Sequence, residues 1–502
     1  MLPMRLSSAA DATTRPDTGH PQLFRVFFWM VLFGSLLVYG LGIWDIPVLS
    51  HNEARRLVVV QEMLAHHSWL LPTKNGLLYL EKPPLFYWSG GLFGMLAGSC
   101  PVWVLRLPSA LSALGVVWLL FGRLRRHIGA WAALFAAMML VSSYFFAEMA
   151  RVAELNMMLA LWVFAAMLMY FSYLTENGRH WLYLTYIFLG LAFMTKGPVA
   201  LLFFVPPVVV YGLWQKNRAA LRGLVSWRGW LLFALVAMPW FLYVSLQLND
   251  MPLLAVFTWQ VADKVSVAKG DPVYFYPLFL FGAFAPWTLL PVYHPREQLR
   301  YLLSTMAGRF FVVAALVPLI LFSLIDFKRP KYILPLCPSI AIVLGIALDH
   351  VRLRLQQHGK RLGPLLLVGV AGLLMVLNLS YYGWIQPRVL RHRYVVLPKI
   401  VHELQTLPKD VPLYYYGKEP IQLIYYLGHP IAELDHQRLL ELTSRHESYF
   451  LLAEKQNWEM LRQHSLCLQK DYTPYLHRNG RMGLWQGGGR CTPSEAKDNP
   501  ME

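Results

Sequence analysis

The apolar segments that recur along the first three quarters of the chain constrain its fold more than any other feature. Most of them are long enough to cross the roughly 30 Å hydrocarbon core of a bilayer. In lipid such a segment must be helical, because every backbone polar group has to be satisfied internally. The sequence therefore predicts an α-helical polytopic membrane protein with about 11–13 spans. The clearest candidates are approximately 23–44, 101–122, 128–149, 156–174, 182–196, 199–214, 229–248, 276–294, 305–325, 332–349 and 363–385.

The composition agrees with a membrane protein and argues against nucleic-acid binding. Of 502 residues, 56% are hydrophobic and 15% are charged, whereas a soluble domain has about 25% charged residues. The net charge of +17 indicates basic cytoplasmic loops or contact with anionic lipids. No basic domain stands apart from the apolar segments, so membrane lipids rather than nucleic acid are the expected partner.

Four regions are predicted along the chain. Residues 1–22 form a cytoplasmic tail, and the span that follows is too long for a cleavable signal peptide, which favours a signal anchor. Residues 23–385 form the transmembrane domain, with a first outer loop at 45–100. Residues 386–487 form a small α/β domain, and residues 488–502 a disordered tail. Within the α/β domain we predict strands at 411–416, 423–427 and 449–453, and helices at 398–407, 437–444 and 458–464.

Positive charge sets the predicted orientation. With the N-terminus inside, the cytoplasmic turns are rich in lysine and arginine, in agreement with the positive-inside rule. The α/β domain then lies on the outer face. That face is also basic, which indicates an anionic ligand, and its cations are Arg55, Arg56, Lys74, Lys82, Arg151, Lys196, Lys264, Lys269, Lys328, Arg329 and Lys331.

Cysteine spacing and nucleotide motifs exclude several classes of site. The chain has four cysteines and no CxxC pair, which argues against structural zinc. Cys467 and Cys491 lie in the last region, where they form either a disulfide, if that region is outside, or two unpaired thiols. There is neither a Walker A loop nor a GxGxxG fingerprint.

The first outer loop holds the densest set of polar residues. It begins with Ser50-His51-Asn52-Glu53-Ala54-Arg55-Arg56 and ends with Glu81-Lys82-Pro83-Pro84-Leu85-Phe86-Tyr87-Trp88. One interpretation is structural: Ser50 and Glu53 have capping-box spacing, and Asn52 is a good N-cap residue. Similarly, Glu81 and Lys82 read as a solvated ion pair before a proline turn. A catalytic interpretation competes with this one.

Several motifs in a fixed order carry a family resemblance. The loop pattern N-E-A-R, E-M-L, W-x-x-P, N-G and E-K-P-P-L-F-Y-W resembles the ArnT-like branch of the GT-C membrane glycosyltransferases, which are related to the protein O-mannosyltransferases and the aminoarabinose transferases of lipid A. The resemblance extends over nearly the whole chain, including the last domain. Its later pieces are Arg106-Leu107-Pro108-Ser109, Arg151 to Asn156, Thr195-Lys196-Gly197-Pro198, Pro286-Trp287 and Lys328-Arg329-Pro330-Lys331-Tyr332-Ile333-Leu334-Pro335.

The resemblance implies an inverting transfer of sugar from a polyprenyl phosphate to a hydroxyl or phosphate, at the periplasmic face of a bacterial inner membrane. The leaving phosphate needs fixed cations in a low-dielectric cleft. By match to the family, Lys82 and Arg55 are candidates to bind that phosphate, and so is Tyr332, which otherwise belongs to an interfacial aromatic belt. Lys196 is a further candidate, because a cation between two apolar spans is costly, although it could snorkel to the interface.

The candidate metal ligand is Glu81, which matches a family residue implicated in divalent-metal binding. The loop 249–275 lacks histidine and no convincing second ligand is found. The cofactor prediction is therefore none certain, with a divalent metal possible.

Two asparagines depart from the family pattern. The family commonly has aspartate where this chain has Asn52 and Asn156, and an amide cannot take a proton from an acceptor. Three explanations compete: Glu53 is the base, the acceptor is an already ionised phosphate, or the chain is an inactive relative. The predicted catalytic set is Glu53, Asn52 and Asn156, with an ordinary helix-start role as the alternative for Asn156.

Other classes of membrane protein make different predictions. A transporter or lipid flippase would carry charges within its spans or show repeated halves, and no repeat is visible here. A polysaccharide polymerase or ligase would place its large outer loop in mid-chain, and a simple anchor would leave most spans unexplained. The resemblance leaves the sugar open and allows lipid A, a glycan or a protein as acceptor, with lipid A modification the role of the nearest branch.

Overall fold

The computed structural model describes residues 21–44, 46–48, 50–176, 178–248, 270–357, 362–389, 391–472 and 481–488. Most of the predicted N-terminal tail, nearly all of the predicted C-terminal tail, and Lys264, Lys269 and Cys491 lie outside the described residues. The chain divides into two compact units. The first comprises Met1–Ile43, Leu80–Phe93 and Trp103–Ile385, and the second Trp44–Tyr79, Gly94–Val102 and Gln386–Glu502. The four predicted regions stay predictions.

Most of the described chain is helical, and most of the helices are formed by the apolar segments of the sequence. In chain order the α-helices are Pro21–Gly40 (α1), His51–Ala65 (α2), Leu85–Ala97 (α3), Val102–Leu119 (α4), Arg125–Ile128 (α5), Ala130–Ser142 (α6), Tyr144–Arg151 (α7), Leu155–Glu176 (α8), Arg179–Lys196 (α9), Val199–Leu202 (α10), Val205–Trp214 (α11), Arg218–Leu224 (α12), Trp227–Gln247 (α13), Phe275–Ala283 (α14), Pro295–Ser304 (α15), Met306–Ser323 (α16), Cys337–Gln357 (α17) and Leu362–Ser380 (α18). The π-helices Leu120–Leu124 and Tyr381–Ile385 and the 3₁₀ helices Trp287–Val292 and Pro330–Leu336 extend or join them.

Six helical segments of the described chain are long and apolar enough to cross a membrane. They are Val102–Ile128, Leu155–Glu176, Trp227–Gln247, Met306–Ser323, Pro330–Gln357 and Val368–Ile385. The pair α6 and α7 makes a seventh if a bent pair is one span, and three shorter apolar helices, Phe24–Gly40, Leu85–Ala97 and Val199–Trp214, accompany them. The predicted polytopic helical fold is confirmed.

The predicted span 128–149 is broken rather than continuous. Its two helices, α6 and α7, meet at an angle of 66°. Ser143 lies at the break with an extended backbone, and its hydroxyl accepts a hydrogen bond from Phe146 N as the N-cap of α7. The same hydroxyl donates to Ala283 O at 2.9 Å, which fixes the break against α14. A serine in a helix competes for backbone bonds in this way.

The second unit contains a β-sheet with helices between its strands, as the sequence predicted. Its helices are α2, Gln386–Val389 (α19), Arg391–Gln405 (α20), Ile421–Leu427 (α21), His436–Ser444 (α22) and Trp458–Gln463 (α23), and a 3₁₀ turn at Lys455–Asn457 precedes the last. The strands are Thr73–Lys74 (β1), Leu77–Leu78 (β2), Leu413–Tyr416 (β3), Ala432–Glu433 (β4), Tyr449–Glu454 (β5), Cys467–Tyr472 (β6) and Met482–Gly487 (β7). The larger sheet has the order β4-β3-β5-β7-β6, with β3 parallel to β4 and β5 and the other pairs antiparallel.

One predicted strand is wrong. Residues 423–427 lie in the helix α21, which Gly428 ends with a left-handed backbone at φ 78°. The run Ile421-Gln422-Leu423-Ile424-Tyr425 is buried throughout. A short run that is buried on all sides has no alternation to mark it as helix or strand, so its sequence allowed either interpretation.

The cysteines of the described chain differ in state. Cys467 is disulfide-bonded, whereas Cys100 and Cys337 are free thiols. Burial raises the pKa of the Cys100 thiol to about 12, so this thiol stays protonated at neutral pH.

Candidate active site

A buried polar cluster lies among the apolar helices of the first unit. Lys196 is the last residue of α9, which stops there because Gly197 takes a positive φ of 73° before Pro198. Its ammonium group donates to Asn156 Oδ1 at the start of α8. Asn156 is 2% exposed and Lys196 is 9% exposed. The structure therefore brings together two predicted site residues that are 40 positions apart in sequence.

Glu154 joins this cluster to a second lysine. Asn156 Nδ2 donates to Glu154 Oε1 at 2.5 Å, and Lys331 Nζ lies 3.2 Å from Glu154 Oε2. The backbone N–H of Glu154 donates to Ser109 Oγ at 3.0 Å, which holds the loop before α8 against α4. Two lysines and one carboxylate leave this set of side chains with a net positive charge. Such a set suits an anionic ligand.

Tyr332 lies beside the same lysine. The Lys196 ammonium is 4.8 Å from the centroid of the Tyr332 ring, a cation–π distance. Tyr332 and Lys331 share the 3₁₀ turn Pro330–Leu336, whose fixed geometry presents both residues next to α8 and α9. By contrast, Lys328 of the same motif donates to the carbonyls of Asp271 and Ile325, so it holds backbone rather than substrate.

Lys82 and Glu81 lie just before α3 in the first unit. The Lys82 ammonium donates to the carbonyl of Glu81 at 2.8 Å, and both side chains are half-buried. Within the described ranges no group of three or more His, Cys, Asp or Glu side chains could hold a metal ion. The described residues thus do not fit a metal centre, and no chemical step is assigned to one.

Asn52, Glu53 and Arg55 lie in the first turns of α2, in the second unit. Arg55 Nη2 donates to Asn52 Oδ1 at 2.6 Å, so the amide orients the guanidinium. Glu53 is 4% exposed, which is unusual for a carboxylate in a first turn. Ser50 precedes the helix as its N-cap but makes no side-chain capping bond. The capping-box interpretation is therefore wrong for Ser50.

Sequence reasoning missed two members of the cluster. Glu154 entered only within the motif from Arg151 to Asn156, and Lys331 only as an outer cation and a member of the motif that begins at Lys328. The available signal was that Glu154 is an acidic residue flanked by apolar segments, which in a membrane protein needs a partner.

The helices, their breaks and the appended sheet define an α-helical GT-C membrane fold. The crystal structure of ArnT from Cupriavidus metallidurans bound to undecaprenyl phosphate superposes with a TM-score of 0.75 at 20% identity, covering 92% of this chain and 98% of that one. The dolichyl-phosphate-mannose-protein mannosyltransferase family matches residues 81–243.

Sequence relatives point to the same group. An undecaprenyl phosphate-α-4-amino-4-deoxy-L-arabinose arabinosyl transferase of Shewanella sediminis is 29% identical over 63% of this chain and 58% of its own length. Another, from Pseudomonas fluorescens Pf-5, is 31% identical over 70% of this chain and 65% of its own length. The matched part therefore spans less than two thirds of these relatives. The chain shares the GT-C fold and is similar to these transferases, so the predicted resemblance is confirmed.

Proposed function

We propose that the chain is a membrane glycosyltransferase that moves a sugar from a polyprenyl-phosphate donor to a lipid A, glycan or protein acceptor. The observation that carries the proposal is the net-positive cluster beside Tyr332, in which Lys196, Glu154 and Asn156 are buried and Lys331 is half-buried. It occurs in a fold shared with a protein crystallised with undecaprenyl phosphate. A soluble nucleotide sugar is a poor donor for this site, because the proposed location is periplasmic.

The proposed reaction is one displacement at the anomeric carbon. The acceptor oxygen forms a bond to the anomeric carbon while the bond between that carbon and the phosphate oxygen breaks. Polyprenyl phosphate leaves with the electron pair of the broken bond. Lys82 and Lys196 are proposed to stabilise the negative charge that develops on the phosphate, with Tyr332 beside Lys196. For Arg55 the same role is proposed from its match to the family motif alone. Fixed cations act most strongly where water is excluded, and Lys196 is buried.

The fate of the acceptor proton decides the role of the carboxylates. Asn52 and Asn156 cannot remove it, since an amide has no basic site near neutral pH. Glu53 is proposed as the base for a hydroxyl acceptor. A phosphate acceptor needs no base, because its oxygen is already ionised. The orientation consistent with this proposal puts the second unit and the reaction at the periplasmic face of a bacterial inner membrane.

A direct test of the phosphate site measures binding of undecaprenyl phosphate to the purified full-length protein in detergent. Lys82→Ala removes one charge-assisted contact worth about 1.5–3 kcal/mol, so we expect binding about tenfold to hundredfold weaker. The matched control is Lys418→Ala, because Lys418 is a surface lysine paired with Glu454 at 3.3 Å and 63% exposed. Equal affinities of Lys82→Ala and wild type would refute the phosphate role of Lys82.

A further inference from the structure

Two arginines of the first unit are buried at the C-terminal end of α1. Arg106 is fully buried and Arg151 is 2% exposed. Arg106 Nη1 donates to Ile43 O at 2.7 Å, and Arg151 Nη1 donates to Val38 O at 2.8 Å. Val38 is in the last turn of α1, where carbonyls lack an intrahelical partner and carry partial negative charge. One role of Arg151 is therefore structural, as a cap of α1.

That role uses only one nitrogen of the Arg151 guanidinium. Its Nε and Nη2 are both buried and neither has a hydrogen-bond partner. These two nitrogens form one edge of the planar group, with N–H bonds that point the same way. This is the edge that carboxylates and phosphates occupy in two-bond contacts. A buried guanidinium whose N–H groups lack acceptors is energetically unfavourable, and an anionic ligand that accepts from them would offset this cost.

The residues around Arg151 place no hydrogen-bond acceptor at this edge. The Tyr382 ring covers the guanidinium at 4.5 Å, and its hydroxyl is occupied by a bond to Tyr144 O. Gly42 lies beside Nη2, where a Cβ would stand 3.6 Å from that nitrogen, so the glycine places no side chain against it. Glu148, one turn earlier on α7, is exposed at the surface.

A second polar group of the same helix pair is also unsatisfied. Tyr39 of α1 is fully buried, and its hydroxyl has no partner. Its ring contacts Phe146 of α7 with centroids 6.0 Å apart.

We propose that the Nε–Nη2 edge of Arg151 binds a phosphate-class oxyanion through two parallel hydrogen bonds. Arg106 adds a second positive charge near this site. The proposal goes beyond the proposed transferase function, because Arg151 contacts α1 and Tyr382 whereas Lys196 contacts Asn156 and Tyr332. The phosphate belongs either to a phospholipid headgroup or to a free anion, and these sources share the same chemistry.

The test compares two probes on the full-length protein. Inorganic phosphate is titrated in detergent against chloride at equal ionic strength, with the melting temperature as the readout. Separately, the protein is reconstituted in phosphatidylglycerol nanodiscs, and native mass spectrometry counts retained lipids. We expect at least one probe to bind the wild-type protein. Arg151→Lys keeps the positive charge but lacks the paired N–H groups of the guanidinium, so we expect it to bind that probe at least tenfold more weakly. Binding of phosphate identifies a free anion, and a retained lipid alone identifies a headgroup.

Arg352→Lys is the matched control. Arg352 is also buried and lies 5.0 Å from the Trp131 ring, but its Nε already pairs with Asp349 at 2.6 Å. It should bind both probes as wild type does. If neither probe binds wild type, or if Arg151→Lys binds like wild type, the proposal is wrong.

A second variant keeps the proposal testable if Arg151→Lys fails to fold. Gly42→Ala leaves the arginine in place and fills the space beside Nη2. Because Gly42 has φ +73°, the control is Gly129→Ala, which has φ +89° and no atom near its Cβ position. Both variants bear the backbone strain of a left-handed alanine. Weaker anion binding by Gly42→Ala alone supports the site, and equal binding by both overturns it.

Discussion

Asn156 lies between a lysine and a glutamate, and an amide is the side chain that satisfies both neighbours. Its oxygen accepts from Lys196 and its nitrogen donates to Glu154. An aspartate at this position would put two carboxylates within hydrogen-bonding distance, and their like charges would repel each other. Asparagine in place of the family's aspartate at position 156 therefore suits its two neighbours, Lys196 and Glu154.

This arrangement predicts that Asn156→Asp weakens the protein instead of improving it. The lost hydrogen bond to a charged group corresponds to about 1.5–3 kcal/mol, so we expect sugar transfer to fall about tenfold or more, with a lower melting temperature. Asn378→Asp is the control, because Asn378 is buried and donates to Ser142 O outside the cluster. It should lower stability but leave transfer intact. A gain of transfer in Asn156→Asp would instead favour an inactive relative.

Sequence reasoning reached Lys196, Asn156 and Tyr332 but not Glu154, whose carboxylate connects Asn156 to Lys331. Lys196 stood out because a cation between apolar spans is costly. Glu154 and Lys331 are 177 positions apart, and no local pattern couples them. Such a pair becomes visible only when the 3₁₀ turn at Pro330–Leu336 is placed against α8.

Among the elements, residues 44–79 and the C-terminal sheet belong to one unit. The turn between β1 and β2 is Asn75-Gly76, and both residues have positive φ. Asn75 donates to Ile431 O and accepts from Ile431 N, both at 2.8 Å, like a neighbouring strand. Glu62 of α2 accepts from Thr73 Oγ1 at 2.5 Å and from Gly76 N at 3.2 Å, which ties the hairpin to the helix.

We predict that Asn75→Ala loosens this connection. It removes two hydrogen bonds worth about 1 kcal/mol each and puts a less tolerant residue in a left-handed backbone. Hydrogen exchange should show faster exchange at the Ile431 amide, by about tenfold or more. His446→Ala is the control, since His446 has φ 55° and an exposed side chain in the same unit. Unchanged protection of Ile431 in Asn75→Ala would contradict the contact.

Sequence reasoning placed correctly the elements that have a strong hydrophobic periodicity or a residue that clearly ends them. The strands around Leu413–Tyr416 and Tyr449–Glu454 and the helix at His436–Ser444 all agree with the predictions. The wrong strand has a physical cause: the run 421–425 is buried throughout and shows no alternation. The break at Ser143 was missed because a serine pair inside an apolar run does not interrupt its hydropathy.

For the whole molecule, hydropathy predicted a polytopic helical membrane protein. The order of the motifs predicted the resemblance to the ArnT-like glycosyltransferases. Spacing of apolar residues predicted a polytopic helical fold, and the superposition on ArnT confirms it. It did not predict that residues 44–79 would fold with the last domain, because the contacts joining them span more than 300 positions of sequence. The identity of the transferred sugar depends on side chains that neither hydropathy nor motif order reports.

The central claim is that the chain consumes a polyprenyl-phosphate sugar. The most direct measurement is mass spectrometry of polyprenyl-phosphate sugars and envelope acceptors from a deletion strain, its parent, and deletion strains complemented with wild type or Lys82→Ala. We predict that one carrier-linked sugar accumulates in the deletion and Lys82→Ala strains, and that an acceptor such as lipid A loses the mass of that sugar. Unchanged pools of both, with the protein present in the parent, would contradict the claim.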